Sequence, residues 1–357
     1  MRIAPILTGT LICLLPVFAP PAADAQRADS ATVIVRFGTD TLAVEQWVRT
    51  ADGLDAVSVT RSPTTTVRRY AVRFGADGRV TRLLNAQGVA ETVTPTGAIP
   101  TASGFYAPQA IALAQASRAR DTLAVVPMLA GGNVQEFRVR RIGPDLFELV
   151  NPAGATTMRA RLTREGGLIY LEAGTSTTVE RVGWVDVDAL AREFSARDAR
   201  GAGIGPLSGR DTASARAAGA TIMVDYGQPS ARGRTIFGGL VPYGQIWRLG
   251  ANDATQLVVD RPVRVGDVNV EPGTYSLYAV PGRDQWELGV SRMTGMAAAM
   301  SPDPAQDVGR ARMSVRSLPQ HVEPLTMVLE QTADGAMLRI RWETTEASVP
   351  IVVRDGM

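Results

Sequence analysis

The densest group of side chains that could do chemistry lies between residues 226 and 255. This stretch has the composition of a long loop and contains three arginines, two tyrosines and one tryptophan. Guanidinium groups bind carboxylate or phosphate through paired hydrogen bonds, and aromatic rings stack on flat ligands. Long loops in compact domains are usually functional or disordered, and this one has too many aromatic residues for disorder. The candidate ligand-binding residues are Arg232, Arg234, Tyr243, Trp247, Arg248, Asn252 and Asp253.

The same residues also allow a purely structural interpretation. Arg248 could pair with Asp253 or Asp225, and the glycines and prolines could shape a crossover between sheets. Pairs of arginine and carboxylate stabilise loops as well as bind ligands. A structure that separates the three arginines and pairs each with a carboxylate would remove the binding hypothesis.

Missing residue types exclude several kinds of chemistry. All 37 basic residues are arginine, which excludes Schiff-base chemistry, pyridoxal phosphate attachment and a Walker-type phosphate lysine. His321 is the single histidine, so a site with two or three histidines from this chain is impossible. The chain has no Gly-x-Ser-x-Gly motif, and we interpret His321 as a surface residue in a loop between strands. We expect no metal and no cofactor, and the balance favours a protein that is not an enzyme.

Residues 1–25 have the pattern of a cleavable signal peptide. Arg2 precedes an apolar run over residues 3–19, and residues 23–25 offer the small side chains that a signal peptidase reads. Cleavage would remove Cys13, the single cysteine, and with it any disulfide or thiol chemistry. We therefore expect a periplasmic or secreted protein with no transmembrane segment after cleavage.

The charge balance does not indicate a nucleic-acid partner. The formal net charge is +2 at pH 7, with 37 arginines against 35 acidic residues. Neither half of the chain has a dense basic stripe of the kind that follows a phosphate backbone. The 45% hydrophobic and 20% charged content is that of an ordinary globular protein.

The hydrophobic pattern predicts a first module, residues 26–199, that is mostly β. Period-two alternation before and after residues 90–107 predicts an antiparallel meander, interrupted by a loop and a short helix at residues 108–118. A curved sheet wrapped on that helix would satisfy the pattern. A second helix is predicted around residues 187–194, with Asp186 or Asp188 as its cap.

A second mostly-β module is predicted for residues 219–357. Its many short strands, separated by frequent turns, are typical of a β-sandwich, here of the jelly-roll kind. Residues 200–218 are rich in Gly, Ala, Ser and Arg without periodicity, and we interpret them as a flexible linker between the modules.

Several multi-residue blocks of the second module occur in an order typical of a known family. They are Pro229-Ser230, Arg232-Gly233-Arg234, Phe237 to Pro242, Trp247-Arg248, Gly250-Ala251-Asn252, Ala254-Thr255 and Pro272 to Leu277. Over about residues 219–355 the chain thus resembles the exported bacterial proteins grouped as domain of unknown function 2911. It departs from them at Leu249 and Asp253, where the family usually has Thr and Glu, and at residues 296–300, which lack an aromatic block. The resemblance implies a fold and an exported location, and no activity.

Three functions remain open at this point. The leading hypothesis is a non-catalytic ligand-binding or interaction module whose partner is a small molecule, a glycan or another envelope component. The alternative is a hydrolase of carbohydrate or cell-envelope material that uses Asp253 with a second carboxylate. A third possibility is a structural protein whose N-terminal meander packs on lipid carriers or partner proteins, which an exposed apolar face would indicate.

Overall fold

The computed structural model describes most of the chain after the predicted signal peptide. The described residues are 30–85, 90–93, 97–101, 105–119, 121–130, 132–151, 157–174, 176–295 and 303–354, with backbone alone for 85, 90–93 and 130. The predicted signal peptide and the 296–300 block lie outside them. The described part is mainly β and contains two α-helices, as the sequence predicts.

The first module is built on one curved sheet of 13 strands. The strands of this sheet lie side by side in the order β6-β5-β4-β3-β2-β1-β13-β12-β11-β10-β9-β8-β7. Among the described strand pairs of this sheet, only the short β7–β8 pair is parallel. The strands are β1 (Ala31–Phe37), β2 (Asp40–Arg49), β3 (Gly53–Thr60), β4 (Thr66–Phe74), β5 (Val80–Asn85), β6 (Ala90–Val93), β7 (Ile99–Pro100), β8 (Leu123–Ala130), β9 (Asn133–Arg141), β10 (Leu146–Val150), β11 (Thr157–Leu162), β12 (Leu168–Ala173) and β13 (Thr177–Val182).

Helix α1 (Ala107–Ser117) packs inside this near-barrel and is buried over most of its surface. It begins with a proline in the first turn, where the missing N–H costs no hydrogen bond. Small alanines on several sides let the strands approach it closely. Its first N–H groups, those of Tyr106 and Ala107, donate to the fully buried carboxylate of Glu45 on β2 at 2.6 and 3.2 Å. The sheet thus supplies the cap that the helix sequence lacks.

Helix α2 (Val187–Ala199) covers the outer face of β1–β3. The side chain of Asp186 accepts a hydrogen bond from the N–H of Ala189 at 2.9 Å, which confirms the predicted cap. Leu190 and Phe194 pack on Val44 and Val59 of the sheet. Apolar residues on both faces of the first strands are explained by this second layer.

The second module is one continuous antiparallel sheet of nine strands, folded so that β14 and β15 pack on β21 and β22. The two layers share a single apolar core, which is the layered arrangement expected of a sandwich. The order is β14-β15-β16-β19-β20-β21-β22-β17-β18. The strands are β14 (Ser208–Ala217), β15 (Ala220–Pro229), β16 (Thr255–Val259), β17 (Val263–Val265), β18 (Val268–Val270), β19 (Gly273–Val280), β20 (Gln285–Ser291), β21 (Asp307–Gln331) and β22 (Gly335–Val353).

The linker prediction is wrong for residues 208–217. They form β14, which pairs with β15 along its whole length. The inward positions are the small Ala213, Ala215 and Ala217, so the period-two pattern has no large apolar residue to reveal it. Residues 200–207 lie outside the helices and strands.

The interpretation of His321 as a loop residue is also corrected. His321 is exposed and lies within the long strand β21, in a segment where the pairing with β22 shifts register between Ser317 and Val322. A proline on either side of it suggested a break between two strands, whereas bulges accommodate these residues within one strand.

None of the described helices is long and apolar enough to cross a membrane.

Candidate functional site

The candidate loop connects β15 to β16 and is held in place by two glutamates of the opposite layer. Glu323 on β21 accepts the N–H groups of Ala231 and Arg232 at 2.8 and 2.9 Å. Glu343 on β22 accepts the N–H of Ile236 at 3.0 Å and that of Phe237 at 3.4 Å. Carboxylates satisfy backbone donors strongly. The loop is therefore ordered although it lacks regular secondary structure.

The far half of the loop is fixed by backbone contacts. The N–H and C=O of Trp247 pair with those of Ala279 on β19 at 2.7 and 2.8 Å. The hydroxyl of Thr255 donates to the carbonyl of Leu249 at 2.8 Å. Leu249 is fully buried with φ +56°, a left-handed conformation that a branched residue rarely adopts. Such strain persists only where the surroundings determine it, and it is frequent at binding sites.

Trp247 belongs to an aromatic cluster in the core of the second module. Its ring stacks on Trp342 with centroids 5.9 Å apart and meets Trp286 and Phe237 edge-on at 6.2 and 6.0 Å. Phe237 also packs on Trp286 at 4.8 Å. Edge-to-face and offset contacts of this kind stabilise aromatic clusters. Trp247 thus supports the floor of the loop, and its ring is not a free stacking surface.

A pocket of about 410 Å³ opens beside this cluster. Its apolar wall includes Phe237 and the buried Trp286, and its rim carries Tyr243, which is 36% exposed. The guanidinium of Arg283 lies over the Tyr243 ring at 4.9 Å from the centroid. The volume falls in the usual range for small-ligand sites, about 300–1,000 Å³. Its lining residues are Phe237, Tyr243, Gly282, Arg283, Asp284, Trp286, Val315, Arg316, Ser317 and Thr345.

Arg316 contributes a second guanidinium to the pocket. Its Nε donates to Glu346 at 2.7 Å, and its side chain is 60% exposed. Burial would raise the pKa of Glu346, but hydrogen bonds from Arg316, Arg341 and Arg339 outweigh it and lower that pKa to about 2. Glu346 is therefore a fixed negative charge that orients Arg316 toward the pocket rim.

Arg232 and Arg234 lie elsewhere, at the junction of the two modules. Arg232 forms an ion pair with Asp40 and donates to the carbonyls of Ile204 and Pro206 at 3.0 and 3.1 Å. Arg234 stacks over Phe37 at 4.1 Å and donates to the hydroxyl of Ser176 at 2.9 Å. Both guanidinium groups are engaged with protein partners.

The backbone of the loop also forms hydrogen bonds with the first module. The N–H and hydroxyl of Thr39 donate to the carbonyl of Arg232 at 2.9 and 3.1 Å. Gly38 and Gly233 permit this approach, because a Cβ at either position would lie within 2.4 Å of an atom across the junction. The start of the loop therefore joins the two modules.

The remaining candidates are at the surface. Arg248 is exposed, and its side chain has no hydrogen bond or ion pair with the described residues. Asn252 is exposed with φ +63° and shapes a turn. Asp253 pairs with Arg210 at 3.4 Å, and Asp225 pairs with the same guanidinium at 2.8 Å. The structural interpretation predicted that one of these two acids pairs with Arg248, but both pair with Arg210 instead.

The structure thus brings together only part of the predicted site. Tyr243 and Trp247 both lie near Phe237. Arg232 and Arg234 instead contact the first module at the junction, and Asp253 pairs with Arg210 on β14. Sequence reasoning missed Arg283 and Arg316, which come from the β19–β20 turn and from β21. The Gly-Arg-Asp turn at 282–284 is visible in the sequence, but only the pairing of β19 with the loop places it beside Tyr243.

Two further arrangements were possible from the sequence. Within the parts of the chain that the structure describes, no three His, Cys, Asp or Glu side chains come together as metal ligands. On the outer face of β8 and β9, Leu123 and Val125 are about half exposed, but they lie opposite Arg140 and Arg138. Charged neighbours interrupt this apolar surface, so it is not the contiguous patch that usually marks a docking face.

Fold and site together define a two-module, mainly β protein with a preformed pocket in its second sheet. Residues 208–351 match the family model described as "Protein of unknown function (DUF2911)", which confirms the resemblance over this module. No curated protein matches the chain.

Proposed function

We propose that this protein is an exported, non-catalytic binding protein whose second module takes a small anionic ligand with a ring that can pack on an aromatic side chain, such as a sugar acid of an envelope glycan. The observation that carries the proposal is the pocket in which Arg283 stacks on Tyr243 beside the buried rings of Phe237 and Trp286. The pocket offers a ring surface and cationic groups at one opening.

The charge at the rim favours an anion. The lining residues include two arginines and one acid, Asp284, so the pocket carries one net positive charge. In the described structure, the Arg283 side chain has no hydrogen bond or ion pair, and Arg316 uses only its Nε. Their remaining N–H groups are suited to a ligand carboxylate, which arginine binds through paired hydrogen bonds.

A ligand with a ring is favoured by the exposed part of the Tyr243 side chain. Tyr243 is held against the loop at Gly238, where an added Cβ would lie 2.7 Å from its ring. The loop beneath it is fixed by Glu343 and by the pairing of Trp247 with Ala279. Because the binding surface is ordered in advance, little side-chain freedom would be lost on binding.

The pocket gives less support to the hydrolase alternative. Glycoside hydrolysis uses two carboxyl groups that flank the scissile bond. Among the described residues that line the pocket, Asp284 is the one carboxylate. Asp253 lies outside the pocket and pairs, together with Asp225, with Arg210.

The binding proposal is tested by titration calorimetry on the chain that begins at Gln26. We expect glucuronate and galacturonate to bind, and glucose to bind at least tenfold more weakly, because it lacks the carboxylate. Arg283→Ala should weaken uronate binding by tenfold or more, since a hydrogen bond to a charged group contributes about 1.5–3 kcal/mol. Arg312→Ala, an exposed arginine on the same strand as Arg316 but outside the pocket, is the matched control and should change binding less than twofold. Absence of uronate binding, or equal effects of the two substitutions, would overturn the proposal.

Export is a separate part of the proposal and rests on residues 1–25. Fractionation of cells that produce the full chain, followed by mass spectrometry of its N-terminus, tests it. We expect the protein outside the cytoplasm with Gln26 as the first residue. Recovery of a cytoplasmic chain with an intact leader would disprove export while leaving the ligand proposal standing.

A further inference from the structure

We infer a second ligand site in the first module: a cavity between α1 and the sheet that takes a small carboxylate with a short hydrocarbon tail. The site lies in the other module from the Tyr243 pocket and shares no residue with it. Its existence does not depend on the proposed function.

The wall of the cavity is apolar. It is formed by Trp47, Leu54 and Phe74 from the strands, Ile111 from α1 and Leu168 from the start of β12. Trp47, Leu54 and Leu168 are at most 3% exposed. Contact with such side chains favours a hydrocarbon group over water.

The opening of the cavity is charged. Arg49, Arg118 and Glu165 line it. Arg49 is held over Phe74 at 4.2 Å and donates to the carbonyl of Gly53 at 2.8 Å. Arg118 follows the last turn of α1, is exposed, and makes no side-chain hydrogen bond or ion pair among the residues described. A ligand anion at the opening would find Arg118 available.

The opening keeps its shape because the turn after β11 packs tightly on the end of α1. Gly166 has φ +91°, and a Cβ there would lie 2.7 Å from the hydroxyl of Ser117. Arg141 donates to the carbonyl of Ser117 at 2.7 Å and so ties the helix end to β9. The helix end is thus fixed from two sides, which sets the distance between Arg118 and the apolar wall.

The size of the cavity limits the ligand. Its volume is about 100 Å³. By comparison, an engineered apolar cavity of about 150 Å³ holds a benzene molecule, so this cavity suits a tail of roughly four carbon atoms. A carboxylate with four tail carbons, such as pentanoate, places its charged group beside Arg118 at the opening.

Titration calorimetry of the chain from Gln26 with pentanoate tests this site. We expect pentanoate to bind and pentanol to bind at least fivefold more weakly, since the alcohol lacks the charge. Arg118→Ala should weaken pentanoate binding at least fivefold. Arg200→Ala is the matched control because Arg200 is the residue after the last turn of α2, as Arg118 is for α1, and it should leave binding within twofold.

A second pair of variants tests the cavity itself. Ala114→Phe adds a ring to the face of α1 that lines the cavity and should abolish pentanoate binding, whereas Ser195→Phe adds the same ring to the exposed face of α2 and should not. Circular dichroism shows whether each variant is folded. If Ala114→Phe does not fold, the effect of Arg118→Ala on pentanoate binding tests the site. Pentanoate failing to bind, pentanol binding equally well, or binding that survives Arg118→Ala would overturn the inference. Because the two sites share no residue, none of these outcomes bears on the proposal that uronate binds at the Tyr243 pocket.

Discussion

Arg232 binds Asp40 across the junction of the two sheets and so joins residues 192 positions apart in the chain. The side chain of Arg232 is only 11% exposed, and its second terminal nitrogen donates to two carbonyls of the segment between the modules. The carbonyl of the same residue accepts a hydrogen bond from the N–H of Thr39 in the first module. Arg232 therefore links the two sheets through both its side chain and its backbone.

The first prediction concerns the energy of this pair. In a double-mutant cycle of Arg232→Ala and Asp40→Ala, we expect a coupling energy of about 1–3 kcal/mol, because contacting partners that are mostly shielded from water couple in this range. The Arg161–Asp145 pair, with side chains 60% and 42% exposed, is the control. Its coupling should be about 0–1 kcal/mol, as for surface ion pairs. Urea unfolding measures both cycles, and equal couplings would contradict an anchoring role for Arg232.

The placement of Arg232 also shows where sequence reasoning stops. Arginine, aromatic and glycine residues at high density correctly indicated an ordered and unusual loop. Whether a given arginine meets a ligand or a carboxylate depends on which distant strand lies beside it. Asp40 and Ser176 lie far from the loop in sequence, and no local pattern links them to Arg232 and Arg234.

The fold was more predictable than the site because its signals are local. Alternation gave the meander, and a proline with helical spacing gave α1. The cap at Asp186 was visible for the same reason. The prediction was wrong at β14, where alanines replace large apolar residues, and at His321, where bulges rather than turns absorb the prolines.

The second prediction uses Gly227, where β15 lies close to the backbone of the candidate loop. A Cβ at this position would lie 1.9 Å from the carbonyl oxygen of Ala251. Gly227→Ala should therefore displace the loop and lower the free energy of unfolding by about 3 kcal/mol or more, as overpacking against backbone cannot be relieved by rotamer changes. It should also weaken ligand binding at the Tyr243 pocket.

Gly209 on the neighbouring strand is the control for this substitution. Its Cβ would meet only the side chain of Gln228, at 3.6 Å, which is ordinary contact. Gly209→Ala should change stability by less than about 1 kcal/mol. Thermal unfolding followed by circular dichroism compares the two variants, and similar losses would show that the Gly227–Ala251 approach is not essential.

The third prediction concerns pH and Glu45. Burial raises the pKa of this carboxyl to about 7 from its ordinary value of 4.5, although Tyr70 and two backbone N–H groups donate to it. Between pH 4.5 and 7 the folded protein therefore holds a proton that the unfolded chain has released. Folding stability should fall as pH rises through this window, by about 3 kcal/mol for a shift of this size, and should level off above pH 7.

Glu45→Gln isolates this contribution. The amide stays neutral at every pH, so the decline between pH 4.5 and 7 should disappear. Its NH₂ group would face one of the helix N–H donors, and we expect a loss of about 1–3 kcal/mol at pH 4.5. Glu172→Gln, at an exposed position on β12, should keep the wild-type pH dependence. Urea unfolding at several pH values separates the curves, and an unchanged slope in Glu45→Gln would refute the assignment.

The fourth prediction concerns Glu346, whose carboxylate is completely buried among three arginines. It accepts hydrogen bonds from Arg316 and Arg341 at 2.7 Å and from Arg339 at 2.8 Å. Its pKa of about 2 lies below the ordinary 4.5, so the stability it contributes is complete above pH 4.5 and is lost as pH falls toward 2.

Glu346→Gln should destabilise the protein by about 3–5 kcal/mol at pH 7, because it leaves clustered guanidinium groups without their central charge. Glu330 is the natural comparison, since it binds the same Arg339 and Arg341 but its side chain is 43% exposed. Glu330→Gln should cost less than about 1 kcal/mol, as solvent screens the charge it removes. Guanidinium chloride screens ion pairs, so the comparison is made by urea unfolding at low salt. A loss for Glu346→Gln no larger than that for Glu330→Gln would show that burial does not strengthen this network.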